Sequence, residues 1–496
     1  MKRRKIKKNK KIALFTIVFV VVLAIGVFVR ERIIRRDLTC KGCNIVIIDL
    51  DVLRADALPC YGYHRETAPN VCSLVNKGVI FERNYSQNNW TLPGITSTFT
   101  SLYPSAHKVR FAFIDKISPE IKTMAEMFKQ EGYNTVFVGP DFNTFNFYPL
   151  GIERGFDKML SKDIPGWKSV VDVAQQRETP FFIYFQTQRL NMPYTLEKQD
   201  EVQLLESLPK PANFPQTKEE YRSLVGDYLI ENYQQVFTKK AIDDNPQIFK
   251  NLGPDTKLKL LELFWSVEEP SGLLIREKWR PVFNSYFGHI EKGGEPALKY
   301  LRLMYDTNIA LVDKELQPLL SYLKSLEDTI VILMSQHGEE FREHGYYSHQ
   351  TLYNEVLNTP LIISAPRIRT GRIDQITQNI DILPTLMELI SIPVSEQAQG
   401  ESLVPFLKGE EDMKGYAVSE IPFKKASIQD YRWKLTYNYN NEDLKLELFD
   451  LLVDPKEQEN LATQNEETAE KLLSKLRIIL KESRFKYEIT QPSLPE

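Results

Sequence analysis

Three short stretches of the sequence carry side chains that could perform chemistry together. Asp51 follows an apolar, strand-like run, Gln336 and His337 follow another, and Thr91 opens a segment that can start a helix. A carboxylate oxygen, an amide oxygen and an imidazole nitrogen can together hold a divalent cation. Such a cation lowers the pKa of a neighbouring hydroxyl and makes it a nucleophile. The residue types therefore predict metal-assisted attack by Thr91 on an ester.

The segment Trp90-Thr91-Leu92-Pro93 predicts a helix that is capped by Thr91 and has proline in its first turn. The free backbone N–H groups at such a helix end can bind an anionic ester. His349 is the second histidine near the strand end that carries His337, and we take it as a candidate catalytic residue. Taken singly, Asp51 can also be a solvated strand-end aspartate, and Thr91 an ordinary helix cap.

Other charged side chains near these segments have ordinary explanations. Glu339, Glu340 and Glu343 are expected to be solvated loop charges rather than ligands, since glutamates are mostly exposed. Lys434 lies in a predicted strand, and we expect its side chain at the surface.

The elements that must position these residues alternate between strand-like and helix-like segments, the pattern of an α/β sheet with helices on both faces. Reactive groups in such sheets lie at the carboxyl ends of the strands. We expect this domain over residues 38–400, with a helical insertion at 196–300, and a small α+β subdomain over 401–496. The predicted strands are 44–48, 135–138, 181–185, 329–334, 361–364, 431–437 and 446–450, and the clearest helices are 121–131, 301–325 and 467–482.

The amino-terminal end predicts a membrane anchor. Residues 1–11 form a basic tail, and the uncharged run 12–29 makes about 27 Å of helix, enough to cross a bilayer. The heavier positive flank should stay in the cytoplasm, so the catalytic body is expected outside it. The alternative is a signal peptide cleaved near Ala24-Ile25-Gly26. In either case Cys40 and Cys43 are expected in an oxidising compartment. There we expect a local disulfide or two unbonded cysteines rather than a metal site.

The charge distribution excludes one class of partner. Residues 1–36 carry twelve basic side chains and one acidic, so the remaining residues, in a chain of overall charge -3, carry a net charge of -14. An acidic body of this kind does not bind nucleic acid, because the phosphate backbone demands clustered Lys and Arg.

The order of the motifs over roughly residues 44–480 resembles the sulfatases of the alkaline phosphatase superfamily. The matching segments are 44–56, 60–63, 67–70, 90–93, 100–104 with His107, 337–341, 343–345, His349, 352–353, 381–385, 400–403, 434–435, 448–450, 454–457 and 460–461. The resemblance implies an alkaline-phosphatase-like central mixed sheet flanked by helices, a four-stranded C-terminal subdomain, and hydrolysis of sulfate esters around one divalent metal. Ca²⁺ or Mg²⁺ is the expected ion, with Mn²⁺ or Zn²⁺ as alternatives.

Carried over residue by residue, the resemblance places Asp51 and His337 on metal-ligand positions and Thr91 on the nucleophile. His349 falls on a site histidine of related members. Gln336 replaces an aspartate of the second metal loop. Gln186 and Asn191 stand where the family has histidines that contact substrate.

The departures from the family pattern bear on activity. Sulfatases use a Cys or Ser that is converted to formylglycine, and a threonine cannot yield that aldehyde. Ile95 stands where the family has an arginine, and Val52 stands in place of a second aspartate ligand. Fewer anionic ligands weaken the binding of a divalent cation, so the metal itself could be lost.

Three functions follow from these residues. The first is a membrane-anchored, exported, metal-dependent sulfatase with a compromised site. The second is a hydrolase or transferase of phosphorylated esters that uses Thr91 without modification. The third is a catalytically inactive member that keeps the cleft as a binding surface, since fold similarity alone does not establish activity.

Overall fold

The computed structural model describes residues 37–110, 115–139, 150–161, 166–175, 179–196, 204, 207–237, 239–266, 272–410, 415–439 and 445–485. The predicted anchor, residues 12–29, and the basic tail before it lie outside these ranges. Within the described ranges, no helix combines the length and apolar character needed to cross a bilayer.

The centre of the protein is a mixed eight-stranded sheet with the strand order β10-β2-β9-β6-β1-β5-β3-β4. Its strands run parallel except β9, which is antiparallel to both of its neighbours. The strands are β1 Asn44–Leu50, β2 Gly78–Tyr85, β3 Asn134–Gly139, β4 Lys158–Ser161, β5 Phe181–Thr187, β6 Thr329–Met334, β9 Leu361–Ser364 and β10 Gly371–Gln378. The predicted strands 329–334, 361–364 and 446–450 are confirmed residue for residue, and the other predicted strands differ from the observed ones by no more than two residues at an end.

Helices cover both faces of this sheet. The α-helices are α1 Pro69–Cys72, α2 Thr91–Thr100, α3 Pro104–His107, α4 Met124–Gln130, α5 Trp167–Ala174, α6 Lys218–Val236, α7 Lys239–Asp244, α8 Pro246–Phe249, α9 Lys257–Ser266, α10 Gly272–Lys292, α11 Gly294–Ser325, α12 Asn354–Leu357, α13 Ile382–Leu389, α14 Val404–Lys408 and α15 Glu466–Phe485. Short 3₁₀ turns lie at Ala55–Ala57, Pro59–Tyr61, Ser73–Lys77, Pro254–Thr256 and Asn379–Asp381. Helices α6–α10 fall in the predicted insertion over residues 196–300.

The alternation of side chains along β1 divides the core into two layers. Val46, Ile48 and Leu50 pack with the long helix α11 on one face, whereas Ile45 and Ile47 pack with α2, α4 and α13 on the other. Since successive side chains of a strand point to opposite faces, Asp49 and Asp51 share the face of the second layer. That parity directs both carboxylates toward helix α2.

The C-terminal subdomain is a second sheet, antiparallel and four-stranded, in the order β11-β12-β13-β14. Its strands are β11 Ala417–Ile421, β12 Lys425–Gln429, β13 Trp433–Asn438 and β14 Leu446–Asp450, and α15 packs on it around a separate small core. The prediction that Lys434 lies at the surface is wrong, because its ammonium is fully buried on β13 and lies 2.6 Å from the equally buried carboxylate of Glu457. A long basic side chain can be buried when an opposite charge compensates it.

All four cysteines are paired in the structure. Cys40 bonds Cys43, and Cys60 bonds Cys72. The first pair is the local disulfide that the sequence left as one of two options. The second ties the loop after β1 to the helical segment before β2, in agreement with an oxidising environment.

Candidate active site

The site lies where three parallel strands end at the same edge of the sheet. Strand β1 ends one residue before Asp51, and its parallel neighbours β6 and β5 end close to His337 and Asn191. Helix α2 begins directly above them, and all ten of its residues are buried. The topology thus brings together residues that lie far apart in the chain.

Thr91 is the centre of the arrangement. Its hydroxyl donates a 2.8 Å hydrogen bond to Oδ2 of Asp51 and lies 3.3 Å from Nε2 of His337. The predicted role of Thr91 as helix cap is wrong by one position. The cap residue is Trp90, Thr91 is the first helical residue, and its hydroxyl bonds to Asp51 instead of to the backbone. The Thr91 hydroxyl therefore does not cap the helix and is available for chemistry.

Asp51 is fully buried and holds two side chains. Its Oδ2 accepts from Thr91 and, at 3.1 Å, from the amide of Asn191. Its Oδ1 has no hydrogen-bond partner among the described residues. Burial raises the pKa of Asp51, opposed by the positive potential of His337 and by the hydrogen bond from Thr91.

The tautomer of His337 follows from its neighbours. Its Nδ1 lies 2.9 Å from the carbonyl oxygen of Gly338, which can only accept, so Nδ1 carries the proton and Nε2 presents a lone pair. Burial lowers the pKa of His337 to about 4, with a further contribution from His349. The neutral imidazole therefore faces Thr91 and Asp51 at neutral pH.

The residues present fit a divalent cation at one point of the site. Oδ1 of Asp51 lies 3.5 Å from Nε2 of His337, which is long for a hydrogen bond. An unpartnered buried carboxylate oxygen and an imidazole lone pair at this separation are suitable ligands for a shared cation.

Gln336, predicted as a third metal ligand, is engaged elsewhere. Its amide nitrogen donates to the Tyr184 hydroxyl at 2.7 Å and to Oδ2 of Asp49 at 3.2 Å, and its oxygen accepts from Thr98 at 3.3 Å. These bonds direct Gln336 into a polar cluster behind the site, and none of the hydrogen bonds described for it reaches Asp51. Its role as a ligand stays a prediction.

Asp49 forms the other half of that polar cluster and was missed by the sequence reasoning. Burial raises its pKa well above the ordinary value, and the charge of Asp51 adds to the effect. The spacing of two residues, which puts both aspartates on one face of β1, could have identified it. Gln186 is buried and lies opposite Asp49 in the register of β5, and its side chain partly offsets the rise in the pKa of Asp49.

His349 reaches the site through a small hairpin. Strands β7 Glu340–Phe341 and β8 Tyr347–Ser348 pair antiparallel and return the chain toward His337. The rings of His349 and His337 have centroids 4.4 Å apart, and the carbonyl oxygen of His349 accepts from the Asn89 amide at 2.7 Å. The structure thus brings His349 to the same cluster as Thr91.

The prediction that Glu339 and Glu340 are solvated is wrong. Both carboxylates are buried, and burial raises the pKa of each to about 8. Glu340 accepts from the Thr351 hydroxyl at 2.9 Å. Glu343, at 29 % side-chain exposure, pairs with Arg54 instead of facing open solvent.

The loop that carries His337 is tightly held. A Cβ on Gly338 would lie 2.1 Å from the carbonyl oxygen of Glu355, so only glycine fits there. Arg54 donates to the carbonyl oxygen of Glu339 at 3.0 Å. In the turn that follows β1, Val52 has φ +69°, an uncommon conformation for a β-branched residue. The Tyr305 hydroxyl, which donates to the Val52 carbonyl at 2.8 Å, holds it in place.

The sheet order, the buried helix at its carboxyl edge and the hydroxyl–carboxylate–imidazole cluster together define an α/β protein of the alkaline-phosphatase-like fold. The chain belongs to the sulfatase family. The family model described as Sulfatase matches residues 43–392, and the model described as N-sulphoglucosamine sulphohydrolase, C-terminal, matches residues 342–486.

Individual relatives are similar over most of the chain. The N-acetylglucosamine-6-O-sulfatase of Bacteroides thetaiotaomicron is 24 % identical, with 92 % of this chain and 88 % of the relative covered. The choline-sulfatase of Rhizobium meliloti is also 24 % identical, over 84 % of this chain and 82 % of its own.

Solved structures share the fold at lower identity. A structure in complex with its substrate D-glucosamine-2-N,6-O-disulfate gives a TM-score of 0.62 at 20 % identity, covering 90 % of this chain and 99 % of that one. The phosphonate monoester hydrolase of Agrobacterium radiobacter gives 0.60 at 18 % identity, covering 89 % and 96 %.

Proposed function

We propose that this chain is a membrane-anchored, exported hydrolase of sulfate esters that uses Thr91 as its nucleophile. The observation that carries the proposal is the convergence of the Thr91 hydroxyl on Asp51, at 2.8 Å, and on His337, at 3.3 Å. Family membership supports the reaction class, and the named activities of the relatives suggest a sulfated sugar or a sulfated small alcohol as substrate.

The nucleophile, Thr91, is activated by Asp51, the carboxylate that accepts the hydrogen bond from its hydroxyl. As the Thr91 oxygen attacks sulfur, the proton passes to Asp51, whose raised pKa makes it a stronger base than an exposed aspartate. The bond from sulfur to the leaving oxygen breaks, and that oxygen takes a proton from His349. Water then attacks the sulfur of the threonyl sulfate and gives a proton to His349. The bond from sulfur to the Thr91 oxygen breaks, that oxygen regains its proton from Asp51, and inorganic sulfate is released.

A divalent cation would be held by Asp51 and His337, with the Thr91 hydroxyl beside it. Such an ion would supply charge stabilisation for the sulfuryl oxygens and lower the pKa of the hydroxyl. Asn191 donates to Asp51 and keeps Oδ1 of that carboxylate turned away from the amide. The support for a metal is the unpartnered Oδ1 and the tautomer of His337.

A phosphorylated ester is the second candidate substrate. The specific observation in its favour is the unmodified Thr91 hydroxyl, already hydrogen-bonded to a carboxylate. The structural likeness to a phosphonate monoester hydrolase concerns the fold and is compatible with either substrate.

The experiment compares 4-nitrophenyl sulfate with bis-4-nitrophenyl phosphate, using the full-length chain and Ca²⁺, Mg²⁺, Mn²⁺ or Zn²⁺ in turn. Faster turnover of the sulfate ester, lost in Thr91→Ala, supports the proposal. Faster turnover of the phosphodiester supports the second candidate. The absence of turnover with both substrates and every metal overturns both and leaves the inactive, binding role.

The location is a separate part of the proposal. It is supported by the apolar run 12–29, by its basic flank and by the two disulfides. We expect the full chain to stay with the membrane after a carbonate wash, and a chain lacking residues 1–36 to be released. A full chain that is extracted by carbonate would contradict the anchor.

A further inference from the structure

Glu339 is a buried carboxylate that the reaction described above does not use. Its side chain is 0 % exposed, and the hydroxyls of Tyr194 and Ser348 face its oxygens. Burying a carboxyl group is costly, and such a group in a native structure requires an explanation. It lies two residues after His337, on the loop at the edge of the candidate site.

The backbone around Glu339 is fixed from two sides. Its N–H donates to the carbonyl oxygen of Glu355 at 3.0 Å, and its carbonyl oxygen accepts from Arg54 at 3.0 Å. The N–H of Gly338 donates to the carbonyl oxygen of Val356 at 2.6 Å. The backbone that carries the Glu339 side chain is therefore held in place on both sides.

The nearest basic group to this carboxylate is His349. Oε1 of Glu339 lies 3.7 Å from Nδ1 of His349, and the Ser348 hydroxyl lies 3.0 Å from the same nitrogen. Ser348 has φ +65°, a left-handed conformation that costs free energy and persists where the surroundings impose it. The hairpin thus has a costly backbone conformation at Ser348, the residue whose hydroxyl contacts the His349 ring.

His349 and Glu339 differ in their exposure to solvent. The His349 side chain is 26 % exposed while Glu339 is closed off behind it. With Nδ1 facing Glu339 and Ser348, Nε2 lies on the opposite edge of the ring. Asn89, two residues before Thr91, holds the His349 carbonyl at 2.7 Å and ties the hairpin to the start of helix α2.

We propose that Glu339 is a positioning residue that, with the Ser348 hydroxyl, fixes the His349 ring so that Nε2 meets the leaving oxygen of the ester. The proposal rests on the proposed function for the identity of that oxygen. It follows the common arrangement in which a buried carboxylate orients a catalytic imidazole through the nitrogen that does not contact substrate.

The neighbouring residue provides a matched control. Glu340 is buried to the same degree, but its oxygens accept from the Thr351 hydroxyl at 2.9 Å and from the Gln350 N–H at 3.3 Å. Glu340→Gln therefore replaces a buried carboxyl group next to Glu339 without touching His349.

The first readout is the dependence of the rate on the leaving group. A nitrophenolate leaves without assistance, whereas an alkyl alcohol needs a hydrogen bond, an effect worth roughly 10²-fold. We expect Glu339→Gln and His349→Ala to slow hydrolysis of an alkyl sulfate by roughly 10²-fold and that of 4-nitrophenyl sulfate far less, with no further loss in the double variant. Glu340→Gln should slow both substrates alike. An equal loss on both substrates in Glu339→Gln would overturn the proposal.

The second readout does not need turnover. Crystal structures of the full-length wild type, Glu339→Leu and Glu340→Leu should show the His349 ring turned or in several rotamers only in Glu339→Leu. An unchanged ring in that variant overturns the positioning role. If the wild type hydrolyses no ester, the proposed function fails, and the ring orientation still decides whether Glu339 positions His349.

Discussion

The Thr91 hydroxyl and the Asp51 carboxylate are joined by a buried hydrogen bond of 2.8 Å, across 40 residues of sequence. The bond links the first residue of a buried helix to the residue that follows the central strand of the sheet. It places a hydroxyl directly against a carboxylate with a raised pKa. In the proposed mechanism, the nucleophile and its base are therefore in contact before a substrate arrives.

Removal of the Thr91 hydroxyl should greatly slow turnover. We expect Thr91→Ala to lower the rate by more than about 10³-fold, the scale of loss when an enzyme loses its nucleophile, and Thr91→Ser to keep part of the activity. The check is hydrolysis of 4-nitrophenyl sulfate. Thr96→Ala is the matched control, since the Thr96 hydroxyl bonds only the Leu92 carbonyl of the same helix among the bonds described. Comparable losses in Thr91→Ala and Thr96→Ala would count against the nucleophile.

A divalent cation should stabilise the wild type and not Asp51→Asn or His337→Ala. A ligand that binds only the folded state, at a hundred times its Kd, adds about 2.7 kcal/mol to the free energy of unfolding. Thermal unfolding with and without added Ca²⁺, Mg²⁺, Mn²⁺ or Zn²⁺ measures this stabilisation. Asp374→Asn, which removes a half-exposed carboxylate on the edge strand β10, should leave the shift intact. A shift that persists in Asp51→Asn would place the cation elsewhere.

The His344–Glu355 pair should stabilise the protein mainly in mild acid. The contact is 3.4 Å and both side chains are largely buried. Burial opposes the charge of His344, but the contact with Glu355 outweighs it and raises the pKa of His344 above 6.5. The pKa of Glu355 is lowered below 4.5, because His344 and Arg54 outweigh its burial.

The sign of the pH dependence follows from these directions. The His344 contribution is complete below pH 6.5 and is lost as the pH rises through its folded pKa. The Glu355 contribution is complete above pH 4.5 and is lost as the pH falls through its folded pKa. The difference in unfolding free energy between wild type and His344→Gln should be largest between pH 4.5 and 6.5. A difference that grows above pH 8 would refute the assignment.

The Lys434–Glu457 pair should behave as a buried charge pair. Both side chains are 0 % exposed, and Asn354 bonds both, with its side chain accepting from Lys434 at 3.0 Å and its N–H donating to Glu457 at 2.6 Å. Lys434→Met leaves a buried carboxylate uncompensated and should cost about 3–5 kcal/mol. The double variant with Glu457→Gln should recover part of that loss. Urea unfolding measures both, and a single variant as stable as wild type would contradict the prediction.

The sequence predicted the strands that are continuous apolar runs, such as β1, β5, β6 and β9. It also predicted β13 and β14, in which apolar and polar side chains alternate. Strands β2 and β10 were missed because they carry charged side chains, such as Arg83 and Asp374, which pair across the edge of the sheet. Strands β11 and β12 are short and mixed in composition, and periodicity does not separate them from loops.

The residues of the candidate site were predictable where reactive side chains follow directly after a strand. Asp51, Thr91, His337, His349 and Asn191 are brought together because β1, β5 and β6 are parallel neighbours. The burial of Glu339 and Lys434 was not predictable. The groups that enclose them come from segments distant in the chain, and only the folded structure shows which charges are compensated.

The most direct test of the central claim is the chemical state of Thr91 during turnover. The full-length chain is mixed with excess sulfate ester and its preferred metal, quenched in acid, digested and measured by accurate-mass spectrometry. The account predicts a sulfuryl group on the oxygen of Thr91, formed in the wild type and absent in Thr91→Ala. Turnover by the wild type without modification of Thr91, together with a Thr91→Ala variant that is as fast as the wild type, would contradict the account.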